Sequence, residues 1–298
     1  MNKNLFYVLM ILSMIFWGAS WVNVKVLSNY INEYELVFLR MGISFISMIP
    51  IFYFYKLSFK FDLKTLGLIL IASIILTLYS LIFFLGVQHG TPGFGGALVT
   101  TLIPINTFII LALIHKKTIS VKHSFALILG GFGVLTMLNV WNFNLNEIFS
   151  TDNVYFLIAS LLWPILTIVS SKAVKLNAMV FTFYVYVIST IFIYFFYIDD
   201  ILFIRVFEFD YIFWLNLFVV SILSTTFATS IYFIGINKLG TKEVSTFIFL
   251  VPTSALVLSA IFLDEKISFT TIIGTFCTII AIYILNNLNI IKMFKKNL

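Results

Sequence analysis

Residues 94–114 read FGGALVTTLIPINTFIILALI and contain no charged side chain. A helix needs roughly 20 apolar residues to cross the hydrocarbon core of a bilayer, so this stretch is long enough. The whole chain of 298 residues is similar in character, because 61% of it is hydrophobic and only 10% is charged. A soluble fold must cover itself with polar groups. The composition therefore excludes a soluble enzyme, a nucleic-acid-binding protein and a disordered chain.

Ten apolar stretches, separated by short polar breaks, predict an all-α integral membrane protein with ten transmembrane helices. The predicted spans are residues 5–24, 36–55, 66–87, 94–114, 124–141, 154–171, 178–198, 211–237, 244–263 and 267–291. The stretches are too long and too uniformly apolar for the strands of a β-barrel, which alternate over about ten residues.

The charged residues alternate from one break to the next. With both termini in the cytoplasm, 14 of the 18 Lys and Arg residues fall inside and ten of the 12 Asp and Glu residues fall outside. Lys and Arg favour the cytoplasmic side of short loops, and a miscount of one helix would destroy this alternation. The pattern therefore predicts a multi-pass protein of the cell (inner) membrane with both termini cytoplasmic.

The chain carries a faint internal repeat of about 148 residues. Residues 84–87, FLGV, resemble residues 233–236, FIGI, and residues 102–104, LIP, resemble residues 250–252, LVP. Each half, 1–141 and 153–292, holds five predicted spans, and an odd number requires the second half to be inverted. Inverted repeats are typical of secondary transporters, whose binding sites lie near the bilayer midplane.

Two prolines at matching positions, Pro104 and Pro252, are predicted near the centres of the fourth and ninth spans. A proline lacks an N–H and displaces the carbonyl four residues before it, here those of Thr100 and Ile248. Asn106 and Ser254 add polar groups two residues further on. Paired interruptions of this kind indicate a transport site, although a simple packing kink is the alternative for either proline.

Further candidates for a solute-binding site are polar or aromatic residues inside the spans: Trp17, Asn23, Tyr79, Trp163, Tyr184 and Tyr232. Indole and phenol groups can stack on a solute or bond to it. The alternative for each aromatic residue is the interfacial belt that many membrane proteins carry.

Arg40 either extends outward to the membrane surface or lines an external vestibule, where it would attract a carboxylate. No Asp or Glu lies deep in any predicted span, and proton-driven carriers commonly need one there. The sequence thus predicts facilitated transport or weak coupling through an acid at a helix end.

Several of these residues together carry a resemblance to a known family. They are Trp17-Gly18 followed by Lys25, Arg40, the Phe-x-Gly-x segments at Gly86 and Gly235, the two prolines, and residues 263–268, LDEKIS. In this order and spacing the chain resembles the EamA family of the drug/metabolite transporter superfamily. The resemblance implies a carrier of small metabolites, often an exporter of amino acids. Lys117 stands where the family usually has an acid.

The predicted function is a secondary transporter that moves a small solute by alternating access, with efflux of amino acids or related compounds as the first expectation. Uptake of a nucleotide-derived or sugar-type metabolite is the alternative. An intramembrane enzyme would need clustered catalytic groups, a channel favours charged rings or several subunits, and a membrane scaffold is a third rival. We expect no metal or other cofactor, no nucleic acid, and a monomer or homodimer in the lipid bilayer.

Overall fold

The structure, a computed structural model, describes residues 3–116, 119–142, 149–173, 175–199, 201–239, 247–248 and 250–285. Every regular element in these ranges is helical. The first half holds α1 (Lys3–Leu27), α2 (Glu33–Tyr55), α3 (Leu63–His89), α4 (Pro92–Ile114) and α5 (Val121–Met137). The second half holds α6 (Thr151–Ser171), α7 (Ala178–Tyr197), α8, α9 (Leu250–Phe262) and α10 (Phe269–Leu285).

Helix α8 is built from three consecutive segments: Tyr211–Phe218, a π-helical segment Val219–Phe227, and Ala228–Leu239. In the π-helical segment the backbone is wider, so hydrogen bonds reach back five residues instead of four. The Ala228 N–H donates to the Leu223 carbonyl, and the Thr225 hydroxyl donates to the Val220 carbonyl at 2.7 Å. Such segments are rare and often lie at functional sites.

Seven of the described helices are long and apolar enough to cross a membrane, and three shorter apolar helices accompany them. The shorter ones are α5, α9 and α10. The all-helical membrane fold predicted from the sequence is confirmed in this form. The count of ten membrane-crossing helices stays a prediction, partly because residues 240–246, 249 and 286–291 lie outside the described residues.

Corresponding helices of the two halves pack against each other in antiparallel directions. Tyr34 of α2 stacks on Tyr197 of α7, and further along α2 Phe45 contacts Phe183 near the beginning of α7. The same reversal relates α4 to α9 and α5 to α10, as shown by the partners of their glycines. A helix that packs antiparallel against its own counterpart requires a two-fold axis perpendicular to both helices. The halves are therefore inverted relative to each other.

Most of the other contacts between the halves obey the same exchange. Helix α1 packs on α8, the third helix of the second half, and α3 packs on α6, the first helix of that half. Likewise α1 contacts α9 while α6 contacts α4, and α2 contacts α8 while α7 contacts α3. Interchanging the halves leaves these pairings unchanged, which is the property of a two-fold related interface.

Glycines bring α4 and α9 into close contact at one end of the bundle. A Cβ atom on Gly96 would lie 2.5 Å from the Ala255 Cβ atom, and one on Gly93 would lie 2.9 Å from the Ser259 Cβ atom. Real Cβ atoms do not approach so closely, so only glycine permits this backbone separation. The contact fixes the two central helices of the halves against each other.

The two prolines lie in helices that are described to different extents. Pro104 is inside the continuous helix α4, and Pro252 is the third residue of α9 as described, with residues 240–246 and 249 outside the described residues. The expectation of a free carbonyl at Ile248 is wrong, because that oxygen accepts the N–H of Val251 at 3.0 Å.

Candidate functional site

Two Trp–Tyr pairs occupy symmetry-related helix contacts in the middle of the bundle. The rings of Trp17 in α1 and Tyr232 in α8 have centroids 5.3 Å apart, and those of Tyr79 in α3 and Trp163 in α6 are 4.8 Å apart. Each pair joins the first helix of one half to the third helix of the other. The structure therefore brings four of the predicted aromatic residues into contact as two pairs.

The π-helical segment of α8 is held by polar contacts from α1 and α2. The Trp17 indole N–H donates to the Ser224 carbonyl at 3.0 Å, and Arg40 Nε donates to the Thr225 hydroxyl at 3.1 Å. The Ser44 hydroxyl donates to the Ser221 carbonyl at 3.0 Å, one turn beyond Arg40. These bonds satisfy polar groups that would be costly in an apolar bundle, so they fix the widened segment between two helices of the first half.

Arg40 extends into the bundle rather than outward to the membrane surface. Its guanidinium carbon lies 6.0 Å from the centroid of the Phe83 ring. Tyr79 and Tyr186 lie near it as well, and Tyr186, Phe83 and Thr225 are themselves buried. These neighbours come from α3, α7 and α8 and thus from both halves. The contacts favour a side chain that lies inside the bundle over one that reaches the lipid headgroups.

A column of buried rings separates Arg40 from a cavity at one end of the bundle. Phe156 and Trp21 have centroids 6.0 Å apart, and Trp21 and Phe83 have centroids 4.5 Å apart. All three rings are at most 3% exposed. The cavity, of about 300 Å³, lies beyond Phe156 and is lined by Phe94, Asp152, Asn153, Glu265 and Ser268, among others. The rings close this end of the bundle above Arg40.

Two charged side chains cap helix ends beside this cavity. The Glu265 carboxylate, between α9 and α10, accepts the N–H groups of Gly93 and Phe94 at 2.8 and 3.1 Å, at the beginning of α4. The Lys25 ammonium donates to the carbonyls of Val87, Gln88 and Gly90 at 2.7–3.0 Å, at the end of α3. A negative charge is favourable at the beginning of a helix and a positive charge at its end, so both side chains carry the favourable sign. Lys25 therefore caps a neighbouring helix and is more than an anchor at the end of its own.

We expect Glu265→Gln to lower the thermal stability of the purified protein by a few degrees. Glutamine retains the shape but removes the negative charge that interacts with the α4 N-terminus, a loss of roughly 1 kcal/mol. Thermal unfolding in detergent measures this change in melting temperature. Asp264→Asn is the matched control, because Asp264 is exposed and has a left-handed φ of 51°, which asparagine tolerates. Equal melting temperatures for the two variants would contradict the capping role.

The remaining predicted site residues lie at helix contacts. Asn23 donates to the Asn216 side-chain oxygen at 2.6 Å, between α1 and α8. Asn106 Nδ2 donates to the carbonyl and the hydroxyl of Ser160, both at 3.1 Å, between α4 and α6. Ser254 packs beside Gly18, where an added Cβ atom would lie 2.5 Å from the Ser254 Cβ atom. These three residues join the halves and do not group around Arg40.

Tyr184 is the one predicted aromatic residue that the structure places away from the centre. Its hydroxyl donates to the Phe59 carbonyl at 3.1 Å, and its ring packs on Phe61 with centroids 4.9 Å apart. Both partners belong to the segment between α2 and α3. Tyr184 thus holds a connecting segment at the end of the bundle, opposite the end that carries Glu265.

Sequence reasoning missed Ser224 and Thr225, which accept the hydrogen bonds of Trp17 and Arg40. Residues 221–226, SILSTT, place four hydroxyl side chains within one apolar span, and this signal is present in the sequence. Hydroxyl residues in an apolar helix commonly bond to their own backbone, so their number alone does not reveal a π-helical segment. Phe83 carries no separate signal among the 54 aromatic residues of the chain.

The sequence profile of the EamA-like transporter family matches residues 4–139 and again residues 152–287. The chain belongs to the EamA-like transporter family. The resemblance drawn from the sequence is thereby confirmed, and each of the two EamA matches covers one set of five helices. Membership implies a membrane transporter of the drug/metabolite type.

Comparison with solved structures agrees with this EamA-like fold. A structure described only as the crystal structure of a protein aligns with 95% of this chain and 96% of its own, with a TM-score of 0.61 and 12% identity. An identity so low shows a shared fold alone. No curated protein sequence matches the chain.

Proposed function

We propose that the protein is a secondary carrier that moves a small metabolite across the cell (inner) membrane by alternating access between its two halves. The observation that carries this proposal is the exchange-symmetric, antiparallel packing of five helices on five. When such helices cross a bilayer, the two-fold axis lies in the membrane plane. Two inverted halves then have equivalent inward-facing and outward-facing arrangements.

The ring column supports the same proposal. Phe156, Trp21 and Phe83 form a line of ring contacts from Phe94, which lines the cavity, to Arg40. A closed end is a requirement of alternating access, since a carrier is never open to both sides together.

The substrate class that we favour is amino acids or related compounds, moved outward. The resemblance described in the sequence analysis, which implies a carrier that is often an exporter of amino acids, supports it, together with the aromatic residues near Arg40. Uptake of a nucleotide-derived or sugar-type metabolite is the second candidate, favoured by the same aromatic rings, which can stack on a base or a sugar. A monomer contains both halves, and a homodimer is compatible with its apolar surface.

Counterflow in proteoliposomes tests the carrier proposal. Vesicles that contain the purified protein are loaded with one unlabelled metabolite at a time and diluted into a trace of the labelled compound. A carrier concentrates the label transiently inside without any ion gradient, because the excess unlabelled solute inside competes with the label for the outward step. Simple equilibration would indicate a channel, and no protein-dependent movement of any amino acid, nucleoside or sugar would favour a scaffold and contradict the proposal.

A further inference from the structure

Among the described residues, Arg40 is a positive charge inside the bundle with no acidic partner. Its Nε bonds to Thr225, but within the described ranges neither terminal nitrogen makes a hydrogen bond and no carboxylate forms an ion pair with it. The two terminal nitrogens are not among the fully enclosed polar atoms. They therefore face a space between the helices.

An unpaired guanidinium inside an apolar bundle is costly. Arginine stays protonated in proteins, and a charge removed from bulk water needs a partner of opposite sign. Arg40 is the eighth residue of α2, about 10 Å along the helix from its beginning at a rise of 1.5 Å per residue. A side chain at that depth, with two free donors that lie in one plane, is suited to two parallel bonds to one carboxylate.

The neighbouring contacts hold the guanidinium in a fixed orientation. Thr225 fixes one edge through Nε, and Phe83 covers the charge from the side with its ring. Tyr79 stacks on Phe83 with centroids 6.0 Å apart and an interplanar angle of 10°, and it extends the aromatic surface toward Trp163. An anion bound to Arg40 would thus have an aromatic surface beside it for the apolar part of a solute.

We infer that Arg40 is the carboxylate subsite of the carrier: it binds the carboxylate of a solute whose apolar body rests on Tyr79, Phe83 and Trp163. The inference rests on the proposed function and names its substrate class, which is small organic acids and amino acids with an apolar side chain. It also predicts that neutral sugars and nucleosides bind weakly.

Equilibrium binding to the detergent-purified full chain tests this subsite without requiring transport. The probes are phenylacetate, L-leucine and L-phenylalanine, each compared with its carboxamide, and the readout is the ligand-dependent rise in melting temperature. We expect at least one carboxylate to bind roughly tenfold or more tightly than its amide, because charge-assisted bonds to arginine are strong. Equal affinities, or no binding by any of the carboxylates, would overturn the inference.

Three variants separate a binding role of Arg40 from a structural one. Arg40→Gln should remove the preference for the carboxylate over the amide, and Arg40→Lys should retain it partly, with weaker binding. Arg205→Gln is the matched control, because Arg205 pairs with Glu35 at the end of the bundle. It should lower the melting temperature and leave the carboxylate preference intact. A preference that survives in Arg40→Gln would refute the subsite.

The outcome distinguishes failure of the subsite from failure of the carrier. Carboxylate binding that depends on Arg40, without counterflow of any solute, would support the subsite and overturn the carrier. Counterflow of a solute, together with no preference for carboxylates over amides, would support the carrier and overturn the subsite. If Arg40→Gln does not fold, the comparison of carboxylate and amide on the unaltered protein and on Arg40→Lys still decides the question.

Discussion

Alanine in place of Gly133 is expected to lower the melting temperature of the protein by roughly 5 °C. A Cβ atom at this position would lie 2.7 Å from the Gly274 carbonyl oxygen and 2.8 Å from Thr278 Cγ2. The nearest atom is backbone, so it yields only when the whole helix α10 moves. Overpacking of this kind costs about 1–3 kcal/mol, and each kcal/mol lowers the melting temperature of a chain of this size by roughly 2–4 °C.

Gly131→Ala is the matched control for Gly133→Ala. The two glycines are two residues apart on α5, but a Cβ on Gly131 meets no atom within 4 Å, and Gly131 is exposed. Alanine there should leave stability unchanged or raise it slightly, because alanine favours a helix by up to about 1 kcal/mol over glycine. Thermal unfolding of both variants in the same detergent gives the comparison. Equal stability would mean that α5 and α10 do not pack as described.

The second large effect is expected for Trp17→Phe, which should reduce counterflow by up to about tenfold. Phenylalanine keeps an aromatic ring beside Tyr232 but removes the N–H that is donated to the Ser224 carbonyl. A hydrogen bond of this kind contributes about 0.5–1.5 kcal/mol, and about 1.4 kcal/mol corresponds to a factor of ten. The bond joins α1 to the π-helical segment that also contacts Arg40, so the proposed substrate site loses part of its fixed geometry.

Trp141→Phe makes the same chemical change away from the site. Trp141 is 48% exposed and donates to the Thr136 hydroxyl at the end of α5. Counterflow by this variant should equal that of the unaltered protein. If Trp17→Phe transports as well as Trp141→Phe does, Trp17 has no part in the transport site.

Apolar patterning predicts the helices well, because a span of about 20 uncharged residues has few alternatives to a membrane helix. The faint repeat predicts two repeats of one unit, which the two EamA matches confirm, and their inversion in the membrane stays a prediction that the antiparallel contact of α2 with α7 supports. Trp17 and Trp163 recur in both halves of the sequence, and the structure places both in equivalent helix pairs.

The parts that the sequence does not reveal depend on contacts between distant residues. The inward direction of Arg40 depends on Thr225 and Phe83, which are 185 and 43 positions away in the chain. Hydropathy describes each span alone and carries no information on such partners. Tyr184 and Tyr79 have the same side chain in similar spans, yet one holds a connecting segment and the other joins Trp163.

Pro252 shows a different limit of sequence reasoning. It matches Pro104 in the sequence and predicts a free carbonyl at Ile248, but that oxygen accepts the N–H of Val251 at 3.0 Å. The effect of a proline depends on where its helix begins, and helix boundaries are the least certain part of a prediction from sequence.

The central claim is that two inverted halves form one carrier. It is tested by finding which side of the membrane is faced by each of two equivalent connecting segments. In a Cys277→Ser background, single cysteines replace the exposed residues Ser58, between α2 and α3, and Glu208, between α7 and α8. A membrane-impermeant maleimide is then applied to intact cells and to inside-out vesicles. We predict that Glu208→Cys reacts in intact cells and Ser58→Cys only in inside-out vesicles. Reaction of both cysteines from the same side would contradict the account.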